Sequence, residues 1–511
     1  MTNSGDLPRS SRYRGGAEAA IVCASLCILI ALFASWCFRH GYVLFYGDAQ
    51  SHLNISRSII DSRTPGYDQL GTVWLPLLHV ICLPLVGNDR LWSTGLAGTI
   101  PVALCFVVAG LGFYLAAKEV YRSSIAAVVV VSCFVLNPNA LYLGSIPMTE
   151  IVFLAGLALL LFALFRFRRT QSKMPILVGL IASWSMSLTR YDGWFLIPFA
   201  GILFALFARR RRWLVLIVFG ALASLAPLYW MAHNWWETAN ALDFYNGPYS
   251  AVAIQGGKPY YGYRDWILAA VYYGKAGQLC AGWCLVIVGV AGIVCAVRAK
   301  AIAPVLFLLL TPLFYIWSIH SSGGTPIHLP QLPPYSYYNS RYGIAVVVLA
   351  AFAAGAIVVA LPERWKKLAL ILPLFSIAPW LLPLSRENWI CWKESRVNSV
   401  SRRAWSAAGA DFLLAHYHPG EGILTASGTD DVAGIFCRAR IPLRDVLHVG
   451  NGPSWFATTL RPDLVHQEAW VIAQAGDSLS TKMKRAPHSP YRMVYEIQAG
   501  DAPALEIYRR E

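Results

Sequence analysis

Long apolar runs recur along the chain from about residue 18 to residue 384, and short polar or basic segments separate them. A helix needs about 20 mostly apolar residues to cross the hydrocarbon of a bilayer. The pattern therefore predicts an all-α polytopic membrane protein of about eleven transmembrane helices. The predicted spans are residues 18–38, 92–117, 124–142, 150–165, 175–189, 193–208, 213–232, 277–297, 303–319, 342–361 and 368–384.

Composition agrees with this interpretation. The 511 residues are 57% hydrophobic and 14% charged, whereas soluble domains carry about 25% charged residues. The net charge of +15 comes from basic residues grouped in short clusters between apolar runs, which is a topology signal rather than a nucleic-acid-binding stripe.

Most of the 11 cysteines lie inside apolar runs, where a thiol behaves as a small hydrophobe. Cys391 and Cys437 lie in a polar region, and whether they pair stays open.

The basic clusters set the orientation, because short loops rich in Lys and Arg stay in the cytoplasm. The first apolar run is too long for a signal peptide, so we expect a retained helix after a cytoplasmic tail at residues 1–17. An inside N-terminus then places every basic cluster inside and residues 385–511 outside. The clusters are Lys118 with Arg122, Arg166 to Lys173, Arg209 to Arg212, Arg298 with Lys300, and Arg364 to Lys367.

Residues 385–511 differ from the predicted transmembrane domain, residues 18–384, in having soluble composition. The strand-like segments "GILTAS" and "AWVIA" alternate with helix-compatible segments, which predicts a small extracytoplasmic α/β domain. In "GTDD", Asp430 and Asp431 are typical of a helix start.

The predicted first outer loop, residues 39–91, contains two further helical segments. "YGDAQSHLNISRSIIDS" ends at the breaker "TPG", and "VWLPLLHVICLPLVG" is apolar but too short to span. We expect both to lie at the membrane interface or to re-enter it.

Asp48 follows the first predicted span directly, at the membrane boundary. A carboxylate there is suited to general-base catalysis on an acceptor hydroxyl, although Asp also favours helix capping. His52, four residues later, lies on the same helix face. The pair could orient one another or bind a divalent metal, whereas a local hydrogen bond of His52 or its contact with lipid phosphate is the simpler alternative.

Three further candidates stand at predicted outer helix ends. Glu150 opens the fourth span, where its charge also suits the helix dipole. Arg190 in "LTRYDGW" and Arg341 in "YNSRYGI" each precede a tyrosine. Guanidinium recognises phosphate through two hydrogen bonds, and the alternative for both is anchoring at the interface by snorkelling.

The acidic residue after the first span, together with "PMTE", "LTRYDGW" and "NSRYG" at outer helix ends, resembles the GT-C glycosyltransferases. The similarity is to the protein O-mannosyltransferase and aminoarabinose-transferase branch, and it covers residues 18–384. It implies that Asp48 is the catalytic base and that Glu150 supplies a second carboxylate. The family usually has two adjacent acidic residues in the first loop, whereas Ala49 follows Asp48 here. This departure weakens a metal site, so no cofactor is certain and a divalent metal stays open.

The resemblance implies transfer of a sugar, mannose or similar, from a polyprenyl-phosphate carrier to an extracytoplasmic protein, lipid or glycan acceptor. Asp48 would be the base, Arg190 and Arg341 would contact the donor phosphate, and the anomeric centre would invert. The expected location is the plasma (inner) membrane of a cell. Three alternatives remain: a lipid-linked sugar transporter or flippase, aminoarabinose transfer to lipid A, and a catalytically dead scaffold.

Overall fold

The computed structural model describes residues 9–381, 388–426, 432–461, 468–485, 489–500 and 502–511. Among these residues, seven helices are long and apolar enough to cross a membrane, judged by length and composition. They are Gly16–Arg39 (the apolar part of Arg9–Arg39), Leu96–Tyr121, Thr149–Thr170, Arg212–Thr238, Trp266–Arg298, Ala303–Ser321 and Ser340–Ala360.

The other four predicted spans overlap shorter helices: Ser124–Val135, Lys173–Ser187, Asp192–Phe207 and Leu372–Leu381. The first of them ends early because Asn137 caps a separate short helix, Pro138–Leu143, by accepting hydrogen bonds from two backbone amides. Apolar composition continues through this break, so a hydropathy pattern does not detect it. The all-α polytopic class is confirmed, whereas the count of eleven spans stays a prediction.

The remaining helical elements of the membrane region are short. The span Arg212–Thr238 consists of two consecutive helices that meet near Ser224. Single-turn and 3₁₀ elements occupy Tyr67–Leu70, Asp89–Thr94, Asp243–Asn246, Ala251–Gln255 and Glu363–Ile371.

Two central helices are more buried than the rest. In Thr149–Thr170, 83% of the most apolar window is buried, and in Ser340–Ala360 the share is 72%, against 22% in Gly16–Arg39. Small residues let central helices approach closely, as where Gly112 meets Ala158 and Gly289 meets Ala350, a packing mode common in membranes. Side chains at the ends of these helices are therefore held by a rigid core.

Helix Trp266–Arg298 begins well before the predicted residue 277 and has a kink at Gly282, where φ is +73°. The kink interrupts the backbone hydrogen bonds of the helix. The side-chain amides of Asn137 and Asn139 donate to the carbonyl of Cys280, at 2.9 and 3.1 Å. The helix is thus joined at its kink to the break after Ser124–Val135.

The first outer loop contains the two expected helices, Gly47–Ser58 and Leu77–Val86. Each helix lies within one of the two segments that the sequence indicated. Pro84 is accommodated inside the second helix, and the chain then turns through Gly87 before the next span.

The C-terminal region is an α/β structure, as predicted. Its described residues form five strands, β1 (Ile423–Thr425), β2 (Val446–Leu447), β3 (Trp470–Gln474), β4 (Tyr491–Ile497) and β5 (Leu505–Arg510), in the order β2-β1-β3-β5-β4. Strand β1 runs parallel to β2 and β3, and β5 runs antiparallel to β3 and β4. "GILTAS" and "AWVIA" supply β1 and β3, whereas the segment with Asp430 and Asp431 lies outside the described residues. The helices of this region are Ile390–Asn398, Val400–His416, Ala433–Ala439, Pro453–Leu460 and Ser478–Arg485, with 3₁₀ turns at Leu443–Asp445 and Val449–Asn451.

The C-terminal region packs on the first outer loop. Arg63 pairs with Glu468 at 2.5 Å, and Asp61 pairs with Arg444 at 3.2 Å. The amide of Asn451 donates to the hydroxyl of Ser62 at 3.1 Å. The loop and the C-terminal region therefore lie at the same end of the helical bundle.

Cys391 and Cys437 are both free thiols in separate surroundings. The sulfur of Cys391 lies 3.9 Å from that of Cys280, and Cys437 lies 3.6 Å from the carbonyl oxygen of Trp92. The structure thus contains no disulfide between Cys391 and Cys437.

Candidate functional site

All four charged residues singled out at helix ends meet in one place. Asp48 is in the first turn of Gly47–Ser58 and Glu150 in the first turn of Thr149–Thr170. Arg190 follows Lys173–Ser187, and Arg341 lies in the 3₁₀ turn Ser340–Gly343. Two more carboxylates join them, and together they form what we call the ion-pair cluster: Asp48, Glu150, Arg190, Asp192, Arg341 and Glu394.

Arg341 is at the centre of this cluster and contacts three carboxylates. Its Nη2 donates to Oδ2 of Asp48, its Nε to Oε1 of Glu150 at 3.0 Å, and its Nη1 to Oε1 of Glu394 at 3.4 Å. Because Arg341 is almost fully buried, these contacts fix the plane of its guanidinium group.

Glu150 links the two arginines. Its Oε1 accepts from Nε of Arg341 and from Nη1 of Arg190, both at 3.0 Å. Arg190 also donates to the hydroxyl of Tyr315 at 3.0 Å and forms an ion pair with Asp192 at 3.4 Å. The hydroxyl of Tyr315 in turn donates to Asp192 at 2.9 Å. The two guanidinium groups are thereby held in one hydrogen-bonded network.

The carboxylates of the cluster differ in exposure. The side chain of Asp48 is 40% exposed, whereas those of Glu150 and Asp192 are 1% exposed and that of Glu394 is 2% exposed. Asp48 is therefore the carboxylate of this cluster that a substrate can reach without rearrangement.

Tyrosine rings cover the guanidinium groups. The Cζ of Arg341 lies 5.0 Å from the ring centre of Tyr46, and the Cζ of Arg190 lies 5.0 Å from that of Tyr342. Such stacking is favourable for a planar cation. Neither arginine reaches out to an aqueous surface, so the snorkelling alternative does not describe their positions.

The turn that carries Arg341 is tightly packed. A side chain at Gly343 would clash with the carbonyl of Ala276 in the neighbouring helix. The backbone amide of Ser340 donates to Oε2 of Glu394 at 2.7 Å, and its hydroxyl donates to the same oxygen. Burial raises the pKa of Glu394, while Arg341 and Ser340 lower it in part.

His52 does not pair with Asp48. Its Nδ1 lies 2.9 Å from Nε2 of His79, and its ring lies 4.5 Å from that of Trp74. Burial, and secondarily the charges of Arg341 and Arg190, lowers the pKa of His52 to about 3. The described residues contain no group of three or more His, Cys, Asp or Glu side chains placed to hold a metal ion, so a divalent metal at Asp48 and His52 stays a prediction.

Capping does not account for Asp48 either. The helix Gly47–Ser58 begins after Tyr46, which makes no side-chain capping bond, and Asp48 lies within the first turn. Its carboxylate is directed to Arg341 instead.

Sequence reasoning missed three members of the network. Asp192 stands two residues after Arg190 in "LTRYDGW", so its position in the sequence could have identified it as a member of the network. Tyr315 lies inside an apolar helix, and Glu394 lies in the helix Ile390–Asn398, beyond the last predicted span. Only the tertiary structure brings these two to the arginines.

Comparison with solved structures finds matches in architecture, among them two structures of one protein. ArnT from Cupriavidus metallidurans bound to undecaprenyl phosphate matches with a TM-score of 0.56 at 13% identity, covering 94% of this chain and 97% of that one. The apo form of ArnT matches with a TM-score of 0.55 at 12% identity and the same coverage. No protein-family model matches the sequence, and no curated protein matches it significantly. Identities this low establish a shared fold and nothing finer. The chain is an integral, multi-pass membrane protein that shares the fold of ArnT, as its resemblance to the GT-C enzymes implied.

Proposed function

We propose that the protein is a membrane glycosyltransferase that moves a sugar from a polyprenyl-phosphate carrier to an acceptor, with inversion. The observation that carries this proposal is the contact of Asp48 with Arg341. An accessible carboxylate lies against a buried cation at the boundary of the first span, so a base and a phosphate-binding group are adjacent. The GT-C fold and the undecaprenyl phosphate bound by ArnT support it.

In the proposed reaction, Asp48 removes the proton of an acceptor hydroxyl as that oxygen attacks the anomeric carbon. The bond from the anomeric carbon to the phosphate oxygen breaks, and its electron pair leaves with the lipid phosphate. A phosphate with a second pKa of about 6 departs without a protonating acid. General-base assistance of this kind contributes about 10²–10⁴-fold in rate.

Arg341 and Arg190 are the proposed contacts of the donor phosphate. In the structure the Nη2 of Arg341 donates to Asp48, and its other two nitrogens, Nε and Nη1, each donate to a buried carboxylate. Asp48 is the exposed partner of Arg341, so a phosphate arriving from solvent or lipid competes first with Asp48 for the Nη2 of Arg341. Donor binding would then release Asp48 for the acceptor hydroxyl, which couples the two steps of the reaction.

Glu150 is better suited to positioning than to proton transfer, because it is buried between two guanidinium groups. Its Oε1 holds both arginines, while its buried Oε2 accepts no hydrogen bond within the described part of the chain. An unpartnered buried acceptor is costly. A hydroxyl or ammonium group of the substrate would satisfy it only if the surrounding side chains move.

The charge balance favours one class of sugar. Four carboxylates surround two guanidinium groups in the ion-pair cluster, so acidic groups outnumber basic groups by two, although burial raises the pKa of both Glu394 and Asp192. A donor whose sugar carries a cationic amino group, such as aminoarabinose, would offset that excess. Mannose or a similar neutral hexose is the competing donor.

A transporter is a weaker candidate. Intramembrane charges near the bilayer midplane are typical of transporters, whereas Asp48, Glu150, Asp192 and Arg341 all lie at or next to helix ends. The positive-inside rule assigns this end to the extracytoplasmic side, because Arg168 and Arg169 lie at the opposite end of the helix that begins at Thr149.

The test is an assay of the purified full-length chain in detergent, with polyprenyl-phosphate aminoarabinose and polyprenyl-phosphate mannose as donors and hydroxyl- or phosphate-bearing lipids and peptides as acceptors. Formation of a glycosylated product without a second compartment supports a transferase. Donor binding without product, across both donors and all acceptors, would contradict it, and transport in vesicles would favour the flippase.

A further inference from the structure

A cavity separate from the ion-pair cluster lies between the first span and the C-terminal region. Its volume is about 300 Å³, and none of its lining residues belongs to that cluster. Phe38, in the last turn of the first helix, lines one side, and Thr94, just before the span Leu96–Tyr121, lines another. Since two spans end here, the cavity is at the depth of lipid headgroups.

The lining of the cavity is strongly basic. Arg402, Arg403 and Arg438 contribute to it, and the described lining residues include no Asp or Glu. Arg402 is buried and donates to the backbone carbonyls of Leu44 and Phe45, so it has a structural task as well. Arg403 and Arg438 add two positive charges, which contacts with backbone carbonyls do not explain.

Arg403 and Arg438 are both exposed and form no ion pair within the described part of the chain. The Nε of Arg403 donates to the hydroxyl of Ser399 at 3.1 Å, and its Cζ lies 4.2 Å from the ring centre of Phe45. These contacts orient the guanidinium group without neutralising it. Two uncompensated guanidinium groups facing one cavity form a site for an anion, and the fork of arginine fits phosphate best.

The rest of the lining indicates where the phosphate comes from. Phe38, Val43 and Leu44 form an apolar wall beside the arginines, and hydroxyls of Ser93 and Thr94 lie on the same lining. A free phosphate ion would gain nothing from the apolar wall. A lipid headgroup places its phosphate against the arginines and its glycerol and acyl carbons against the wall.

We propose that this cavity binds the phosphate of an anionic bilayer lipid, at a site distinct from the ion-pair cluster. The bound headgroup contacts the segment Val43–Phe45, which leads directly into the helix that carries Asp48. The lipid therefore steadies the backbone next to Asp48 without taking part in the reaction. The proposal does not depend on the proposed glycosyl transfer.

The test uses the delipidated full-length chain in detergent, titrated with phosphatidylglycerol or with phosphatidylcholine and followed by native mass spectrometry. The double variant Arg403→Gln and Arg438→Gln removes both exposed charges and leaves Arg402 in place. Each basic residue near a lipid surface contributes about 1 kcal/mol, so the affinity for phosphatidylglycerol should fall about thirtyfold. Arg440→Gln, an exposed arginine two residues beyond Arg438 that does not line the cavity, is the matched control and should bind as the unmodified chain does.

Equal phosphatidylglycerol affinity in the double variant and the control would overturn the site, and so would equal affinity of the unmodified chain for phosphatidylcholine. If the double variant misfolds, Arg438→Gln alone keeps the test valid, and its affinity for phosphatidylglycerol should fall about fivefold. A separate arm adds inorganic phosphate. Arginine-dependent stabilisation by inorganic phosphate but not by phosphatidylglycerol would contradict a lipid as the source.

Discussion

Oδ2 of Asp48 accepts a hydrogen bond from Nη2 of Arg341, although the two residues are 293 positions apart in the chain. Asp48 follows the first span, and Arg341 lies in the first turn of the span Ser340–Ala360. The proposed base and the proposed phosphate contact are therefore held together before any substrate arrives.

Exchange of each arginine for lysine tests the donor site. Arg341→Lys and Arg190→Lys keep the charge but lose the planar fork that holds two acceptors at once. We expect the KM for the donor to rise about tenfold, with a smaller change in kcat. Arg440→Lys, at an exposed arginine outside both the cluster and the basic cavity, is the control. An unchanged KM for the donor in both variants would show that Arg341 and Arg190 have a purely structural role.

Glu394→Gln tests whether a residue of the helix Ile390–Asn398 positions Arg341. The amide keeps the size and can still accept from Ser340, but it removes one negative partner of a buried guanidinium. We expect kcat/KM to fall about tenfold while the pH profile of kcat keeps its shape, because Asp48 stays the base. Glu394→Asp, which keeps the charge, should recover part of the loss. Full activity of Glu394→Gln would exclude a positioning role.

The buried His52 makes stability depend on pH. Burial lowers its pKa from 6.5 to about 3, so between these values the unfolded chain binds a proton that the folded chain excludes. This contribution to stability is present above about pH 6.5 and is lost progressively as the pH falls toward 3. We expect His52→Gln to weaken the fall in melting temperature between pH 7 and pH 5, whereas the exposed His416→Gln should leave it unchanged. An identical pH slope in His52→Gln would show that folding leaves the pKa of His52 unchanged.

Orientation in the membrane gives a further prediction. The basic loops lie at the other end of the bundle from the C-terminal region, so the positive-inside rule places Glu511 outside the cytoplasm. A reporter fused after Glu511 that is active only outside the cytoplasm should give signal, and a cytoplasm-only reporter at the same point should be silent. The opposite pattern would overturn the assignment of the site to the extracytoplasmic face.

Apolar periodicity and helix ends were enough to single out four members of the ion-pair cluster. Asp48, Glu150, Arg190 and Arg341 each stand where an apolar run starts or stops, and charges at such positions are visible in one sequence. Their pairing was not visible, because it depends on how helices pack. Glu394 illustrates this limit, since its contact with Arg341 requires the helix Ile390–Asn398 to fold back onto the bundle.

Local hydrogen bonding explains where the predicted spans went wrong in detail. Asn137 ends one apolar helix by capping the next, and Gly282 kinks another whose apolar pattern continues on both sides. Neither event changes mean hydropathy. His52 is a similar case, because helical spacing placed it near Asp48, whereas His79 from the following helix became its partner.

The most direct measurement is the turnover of Asp48→Asn compared with Glu150→Gln, with Asp68→Asn in the same outer loop as an exposed control. Asparagine preserves size and can still contact Arg341, so folding and donor binding should persist. We predict that Asp48→Asn lowers kcat by about 10²–10⁴-fold, that Glu150→Gln raises donor KM more than it lowers kcat, and that Asp68→Asn stays near normal. Near-normal turnover of Asp48→Asn together with an inactive, donor-binding Glu150→Gln would contradict the assignment of Asp48 as the base.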